Sequence, residues 1–122
     1  MPQKILVVDD DADIRDLVST KLESSGYEVE TAGDGAAGLE LALGNSYSLI
    51  ISDIMMPGMS GVEMVHRLRS AEPAVTVPVI LLTAKNQERD IQTGFAAGIT
   101  DYIVKPFSPR ALAARVTEVL AR

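Results

Sequence analysis

The sequence predicts an α/β domain of (βα)5 type, a doubly wound five-stranded parallel sheet in the order 2-1-3-4-5. Three observations carry this. Short apolar runs alternate with helix-length segments along the whole chain, a pattern that calls for a parallel sheet with right-handed crossovers and helices on both faces. Three of the strand segments are continuously apolar, as strands buried on both sides must be, whereas one alternates polar with apolar residues and so belongs at an edge. The 122 residues suit one domain, 1–122, with one core, and leave no room for a second catalytic domain.

The elements follow in order. Ile5–Val8 reads as the first strand, with its Ile, Leu and Val. Asp13–Ser25 follows as a helix: Ile14, Leu17, Val18 and Leu22 keep the spacing of one apolar stripe, with Lys21 at its margin. Asp13 is expected as its N-cap and Asp11 as a turn residue. Glu28–Ala32 is the alternating edge strand, and Asp34–Leu43 the second helix. Leu49–Ile51 and Val79–Leu82 are central strands, separated by the helix Ser60–Ser70. Glu88–Ala97 is the fourth helix, Tyr102–Val104 the last strand, and Ser108–Arg122 the last helix, striped by Leu112, Val116, Val119 and Leu120. In the order 2-1-3-4-5 the direction of winding reverses between the first and third strands, so a ligand should sit beyond their carboxyl ends.

Composition removes several classes of function. Seventeen acidic against eleven basic residues give a net charge of -6, a poor match to a nucleic acid, whose binding rests on Lys and Arg neutralising phosphates. No cysteine is present, which excludes a disulfide framework, a thiolate zinc site and a Cys nucleophile. The start Met1-Pro2-Gln3-Lys4 leads into only four apolar residues, too few for a signal peptide, and the expected location is cytoplasmic, with no membrane partner.

The chemistry concentrates at the strand ends. Asp9, Asp10 and Asp11 end the first strand and Asp53 follows the third, so the strand order brings at least three carboxylates to one crevice. Packed carboxylates repel one another unless a cation neutralises them, and hard oxygen ligands suit Mg2+. Thr83 stands at the end of the fourth strand and Lys105 at the end of the fifth. Carboxylates, one hydroxyl and one ammonium, each at the tip of a different parallel strand, are the parts of a phosphoryl-transfer site.

Val7-Val8-Asp9-Asp10, Ser52-Asp53-Ile54-Met55-Met56-Pro57-Gly58, Leu82-Thr83-Ala84 and Asp101-Tyr102-Ile103-Val104-Lys105-Pro106-Phe107 together resemble the signature of the CheY-like receiver domain of two-component response regulators. The resemblance covers the whole chain and implies a flavodoxin/CheY-like fold and a phosphorylation-controlled switch. It implies that Asp53 accepts a phosphoryl group from a histidine kinase, a phosphotransfer protein or a small donor. Asp10, Asp9, Asp53 and the backbone carbonyl of Met55 match the Mg2+ site, Lys105 the lysine that pairs with the phosphoryl oxygens, Thr83 the switch hydroxyl and Tyr102 the switch aromatic. Lys105-Pro106 matches a peptide bond that is usually cis. Such a domain catalyses only its own phosphorylation and hydrolysis, and is not otherwise an enzyme.

Other patterns compete. Gly33-Asp34-Gly35-Ala36-Ala37-Gly38 fits a dinucleotide fingerprint, but it follows the edge strand, away from the reversal point where that fingerprint works, and its glycines more simply allow a tight turn and close packing. His66, the single histidine, reads as an exposed helix residue, and Met55, Met56, Met59 and Met64 as loop and core filling. The rival function is a Mg2+-dependent phosphatase of the haloacid dehalogenase type with Asp53 as nucleophile. That class resembles D-x-D, whereas the position two after Asp53 is Met55. Asp90, Asp101 and Arg115 resemble part of a charge set that drives dimerisation in some receivers, but Ile91, Thr100 and Ala111 break it. A monomer is expected, with at most a weak dimer after phosphorylation, and a face of fourth helix, fifth strand and fifth helix that engages another protein or output domain.

Overall fold

Strands laid parallel need a crossover between each pair, and here every crossover is a helix. The computed structural model describes residues 2–122. In chain order the elements are β1 Lys4–Val8, α1 Ala12–Ser24, β2 Glu28–Ala32, α2 Gly35–Gly44, β3 Leu49–Asp53, α3 Gly61–Ser70, β4 Val79–Thr83, α4 Glu88–Ala97, β5 Asp101–Val104 and α5 Pro109–Leu120. The sheet order is β2-β1-β3-β4-β5, parallel throughout, as the sequence predicts.

Successive side chains of a strand point to opposite faces, so a continuously apolar strand feeds two cores. Leu6, Val8, Ile50, Val79 and Leu81 pack on one face with Met64, Val65 and Leu68 of α3. Ile5, Val7, Ile51, Ile80 and Leu82 pack on the other with Val18 and Leu22 of α1 and Leu112 and Val116 of α5. Edge strand β2 is wetter, with Glu28 and Thr31 exposed. Glu30 is only half-buried, and it accepts from the Tyr47 hydroxyl at 2.5 Å and pairs with Lys4 at 2.9 Å. These two contacts, Tyr47 first, hold its carboxyl below the usual carboxylate range.

Four helices start on a side-chain cap. The sequence expectation for α1 is corrected here: Asp11, not Asp13, is the N-cap, its Oδ1 accepting from the backbone N–H of Asp13 at 2.9 Å and of Ile14 at 3.4 Å. Asp13 falls inside the first turn, where its charge faces the positive end of the helix. Asp34, Ser60 and Ser108 cap α2, α3 and α5. Helix α4 differs. Its N-cap residue Gln87 makes no capping bond, and its Oε1 instead accepts from the Ala84 N–H at 2.6 Å. At the other end Gly98 takes the left-handed conformation at φ +110°, and Arg69 of α3 donates to its carbonyl through Nε at 3.2 Å and Nη2 at 2.8 Å.

Strands run slightly beyond the predicted apolar cores, because the polar residues that end them still pair: Asp53 stands opposite Leu82, and Thr83 opposite Val104. Leu17, predicted within the buried stripe of α1, is 43% exposed. It lines a hollow with Ile14, Pro106 and Phe107. His66 is exposed, and Met56 and Met64 are buried, as predicted. No helix among the described residues is long and apolar enough to cross a membrane.

The glycines of the decoy fingerprint let α2 pack closely. A Cβ on Gly38 would stand 2.8 and 3.0 Å from the two methyls of buried Val8. Gly38→Ala therefore sets a propensity gain of about 1 kcal/mol against an overpacking cost of about 1 to 3 kcal/mol, and a net loss of stability is expected in urea unfolding. Gly44→Ala, with nothing within 4 Å, is expected to be neutral or stabilising in the same measurement. Equal behaviour of the two variants contradicts the packing argument.

Candidate functional site

Parallel strands present all their carboxyl ends on one rim, and the polar residues there come from four of them. Asp9 follows β1, Asp53 ends β3, Thr83 ends β4 and Lys105 follows β5. Asp9 is wholly buried. Its backbone N–H donates to the Ala32 carbonyl at 3.1 Å, and its Oδ1 accepts from the Asp11 N–H at 2.9 Å. Lys105 Nζ lies 3.5 Å from Asp9 Oδ2 and 3.3 Å from Asp53 Oδ1, so one ammonium serves two carboxylates. Asp10 is exposed at the lip, yet oxygens of Asp9, Asp10 and Asp53 all lie within 4.8 Å of one another.

Charge is under-compensated in this arrangement. Burial first, and then the neighbouring Asp9 carboxylate, push the Asp53 carboxyl above its usual range, while Lys105 works in the opposite direction. A group of hard oxygen donors with one ammonium and one open side fits a divalent cation such as Mg2+.

Thr83 is wholly buried, and its Oγ1 has no hydrogen-bond partner among the described residues. Buried hydroxyls are rarely left so, and one at a strand tip on this rim is a donor lacking its acceptor. The strand pairing ties Thr83 to Lys105, whose N–H donates to the Thr83 carbonyl at 2.6 Å. The Lys105–Pro106 bond is cis, as the resemblance implied.

Tyr102 stands apart from the carboxylates. It is half-buried on β5 and packs edge-on against Phe95 of α4, with ring centroids 6.2 Å apart at 84°. The Met55 side chain is 62% exposed in the loop after β3 and takes no part in the polar cluster. On the neighbouring face Asp101 pairs with Arg115 at 3.0 Å and with Arg122 at 3.6 Å.

Three supporting residues escape the sequence reading. The wholly buried Ser52 donates through Oγ to the Asp53 carbonyl at 2.9 Å, and a serine inside an apolar strand was the visible signal. Gly61 opens α3 where a Cβ would run into the Asp53 carbonyl. Arg15 donates through Nη1 to the Asp9 carbonyl at 2.6 Å, and on a solvated helix nothing in the pattern marked it.

A doubly wound sheet with an Asp, Thr and Lys rim at its reversal point defines a class of phosphoryl-handling signalling domain. The sequence matches the response regulator receiver domain over residues 5–117, and the chain belongs to that family. It is 42% identical over all 122 residues to the transcriptional regulatory protein SrrA of Staphylococcus aureus, and spans 49% of that protein's length. The chain thus spans about half the length of the curated relatives it matches. Among solved structures, the chemotaxis response regulator CheY4 of Vibrio cholerae superposes with a TM-score of 0.90 at 39% identity, covering 98% of this chain and 99% of that one. A CheY-like response regulator receiver domain protein from Methanospirillum hungatei gives 0.92 at 32% identity, covering 99% and 95%. The chain is a receiver domain of two-component systems, a class that works as a phosphorylation-controlled switch. The family match and these relatives support the receiver reading and lend nothing to the phosphatase alternative.

Because the fold holds the Asp53 carboxyl above its ordinary range, the folded state keeps that proton longer than the unfolded chain, and stability falls as pH rises through the window. In metal-free buffer Asp53→Asn is expected to melt above wild type at pH 7. That advantage should shrink as the pH approaches about 4, the ordinary aspartate range. A difference that is constant with pH, or of opposite sign at pH 7, contradicts the electrostatic account.

Proposed function

We propose that Asp53 is the phosphoacceptor of this switch and that Thr83, Lys105 and Tyr102 convert its modification into a change of surface. The observation that carries this is the pairing of Asp53 with Lys105 at 3.3 Å, with the unpartnered hydroxyl of Thr83 at the tip of the neighbouring strand β4. A carboxylate in contact with an ammonium, and a free hydroxyl donor at the tip of the neighbouring strand, are the groups that a phosphoryl site needs.

In the proposed reaction an Asp53 carboxylate oxygen attacks phosphorus of a phosphohistidine on a histidine kinase or phosphotransfer protein. The new O–P bond forms as the P–N bond breaks, and the electron pair of that bond stays on the imidazole. Asp9, Asp10, Asp53 and the Met55 main-chain carbonyl would hold Mg2+, which supplies positive charge to the oxygens gathered there. Lys105 moves from its carboxylate partners to a phosphoryl oxygen, and the Thr83 hydroxyl donates to another. Thr83 then leaves its place under the sheet rim, and Tyr102 turns on β5 to follow it. The face formed by α4, β5 and α5 is thereby offered to a downstream protein or output domain, without direct nucleic-acid contact by this domain.

The domain so read, 1–122, acts in the cytoplasm, which its lack of cysteine suits. It works as a monomer, or at most a weak dimer once phosphorylated. Asp101 spends its charge on Arg115 and Arg122 within the chain, which supports that reading. The domain runs its own phosphorylation and hydrolysis and turns over no other substrate.

Treatment with acetyl phosphate and Mg2+, followed by intact mass, tests the central role. Wild type is expected to gain about 80 Da once per chain, the mass of one transferred phosphoryl group. Asp53→Asn is expected to gain nothing, because its amide lacks the nucleophilic charge. The same gain in the variant removes Asp53 from the role.

A further inference from the structure

We infer that Arg15 is a positioning residue for the cation site: its guanidinium fixes the peptide joining Asp9 to Asp10 and so holds the Asp10 carboxylate beside those of Asp9 and Asp53. This rests on the reading of the rim as a divalent-cation site.

The problem Arg15 solves is electrostatic. Asp9 is buried and tied at its N–H and at both carboxylate oxygens. Asp10 is exposed, and among the described residues its carboxylate has no hydrogen bond or ion pair, yet it sits within 4.8 Å of two like charges. Repulsion favours swinging such a side chain into water, and with no side-chain partner its placement depends on where its backbone is held. That backbone is anchored by the Asp9 carbonyl, which accepts from Arg15 Nη1 at 2.6 Å, a short charge-assisted bond. Turning the peptide would break this bond.

Arg15 is itself anchored from both ends. Its N–H donates to the Asp11 carbonyl at 3.1 Å in the first turn of α1, just after the Asp11 cap. Its guanidinium lies over Gly33 in the loop after β2, where a Cβ would stand 3.4 Å from Nη1. Among the described residues the guanidinium makes no ion pair, and it donates to a carbonyl instead. Among the described residues the one cation that pairs with the cluster is Lys105.

Two effects of Arg15 on a bound cation have opposite signs, which makes the inference decidable. Its positive charge repels a cation, so an electrostatic role predicts that removing it tightens binding. That repulsion is screened at physiological salt. Positioning predicts the reverse, and a partner that orients a ligand commonly changes metal affinity by about 10- to 100-fold.

The test titrates Mg2+ into the full chain by calorimetry, with urea unfolding of each variant in metal-free buffer. Arg15→Met keeps the aliphatic stem while removing donors and charge. It is expected to bind Mg2+ about 10-fold more weakly than wild type. Arg15→Lys, with one donor and the charge, should recover part of that loss. In an Asp10→Asn background the Arg15→Met substitution should cost little more, because its effect runs through Asp10. Unchanged or tighter binding by a folded Arg15→Met overturns the inference, as does a loss of stability with unchanged affinity. If Arg15→Met fails to fold, Arg15→Lys carries the comparison, with equal or tighter binding again overturning it. Wild type that binds no Mg2+ removes the cation-site reading itself, and the inference with it.

Discussion

Two carboxylates brought together by neighbouring parallel strands cannot both stay ionised in a buried rim without positive charge between them, and most of what surrounds this rim answers that constraint. Asp9 is wholly buried and Asp53 mostly so, and the single ammonium of Lys105 lies between them at 3.5 and 3.3 Å. One positive charge stands against the Asp9, Asp10 and Asp53 carboxylates, and burial first, then the neighbouring Asp9 charge, raises the proton affinity of Asp53. Such a group of oxygen donors suits a divalent cation, which receiver domains typically bind at this rim. A cation bound among these carboxylates would offset their mutual repulsion.

The rim is linked to the neighbouring face of α4 and β5 through the strand ends of β4 and β5. Thr83 and Lys105 are joined through their backbones, so a shift of one is felt by the other. Tyr102 stands three residues before Lys105 and leans on Phe95 of α4. Helix α4 is held unevenly: Arg69 clamps its C-terminal glycine, while its N-terminal end lacks a side-chain cap. The clamped end of α4 is thus held by side-chain hydrogen bonds that the end following the Thr83 turn lacks.

Much of this was legible in the residues. Continuous Ile, Leu and Val runs against the alternating Glu28–Ala32 gave the strand order, because burial on two faces permits only apolar side chains and an edge does not. Strand order in turn placed Asp9, Asp53, Thr83 and Lys105 on one rim. The α1 cap was misassigned because Asp11 and Asp13 are chemically alike, and only the backbone at Asp11, extended at φ -91° and ψ 112°, decides between them. Leu17 kept the helical spacing but not the burial, since spacing sets direction and not what lies opposite. Ser52 and Arg15 act through main-chain carbonyls, and hydrogen bonds to backbone leave no signature in side-chain patterns. Burial of Thr83 without a partner could not be read from sequence, although its strand-end position could.

The link from the rim to α4 is tested most directly by hydrogen exchange of the full chain with and without beryllofluoride and Mg2+, which together stand in for the phosphoryl group and its cation. The account predicts altered exchange concentrated in the Thr83 to Gln87 turn, the first turn of α4 and β5 around Tyr102, with α2 unchanged. Changes confined to the Asp9 and Asp53 loops, with the Thr83 turn and α4 unaltered, would contradict it.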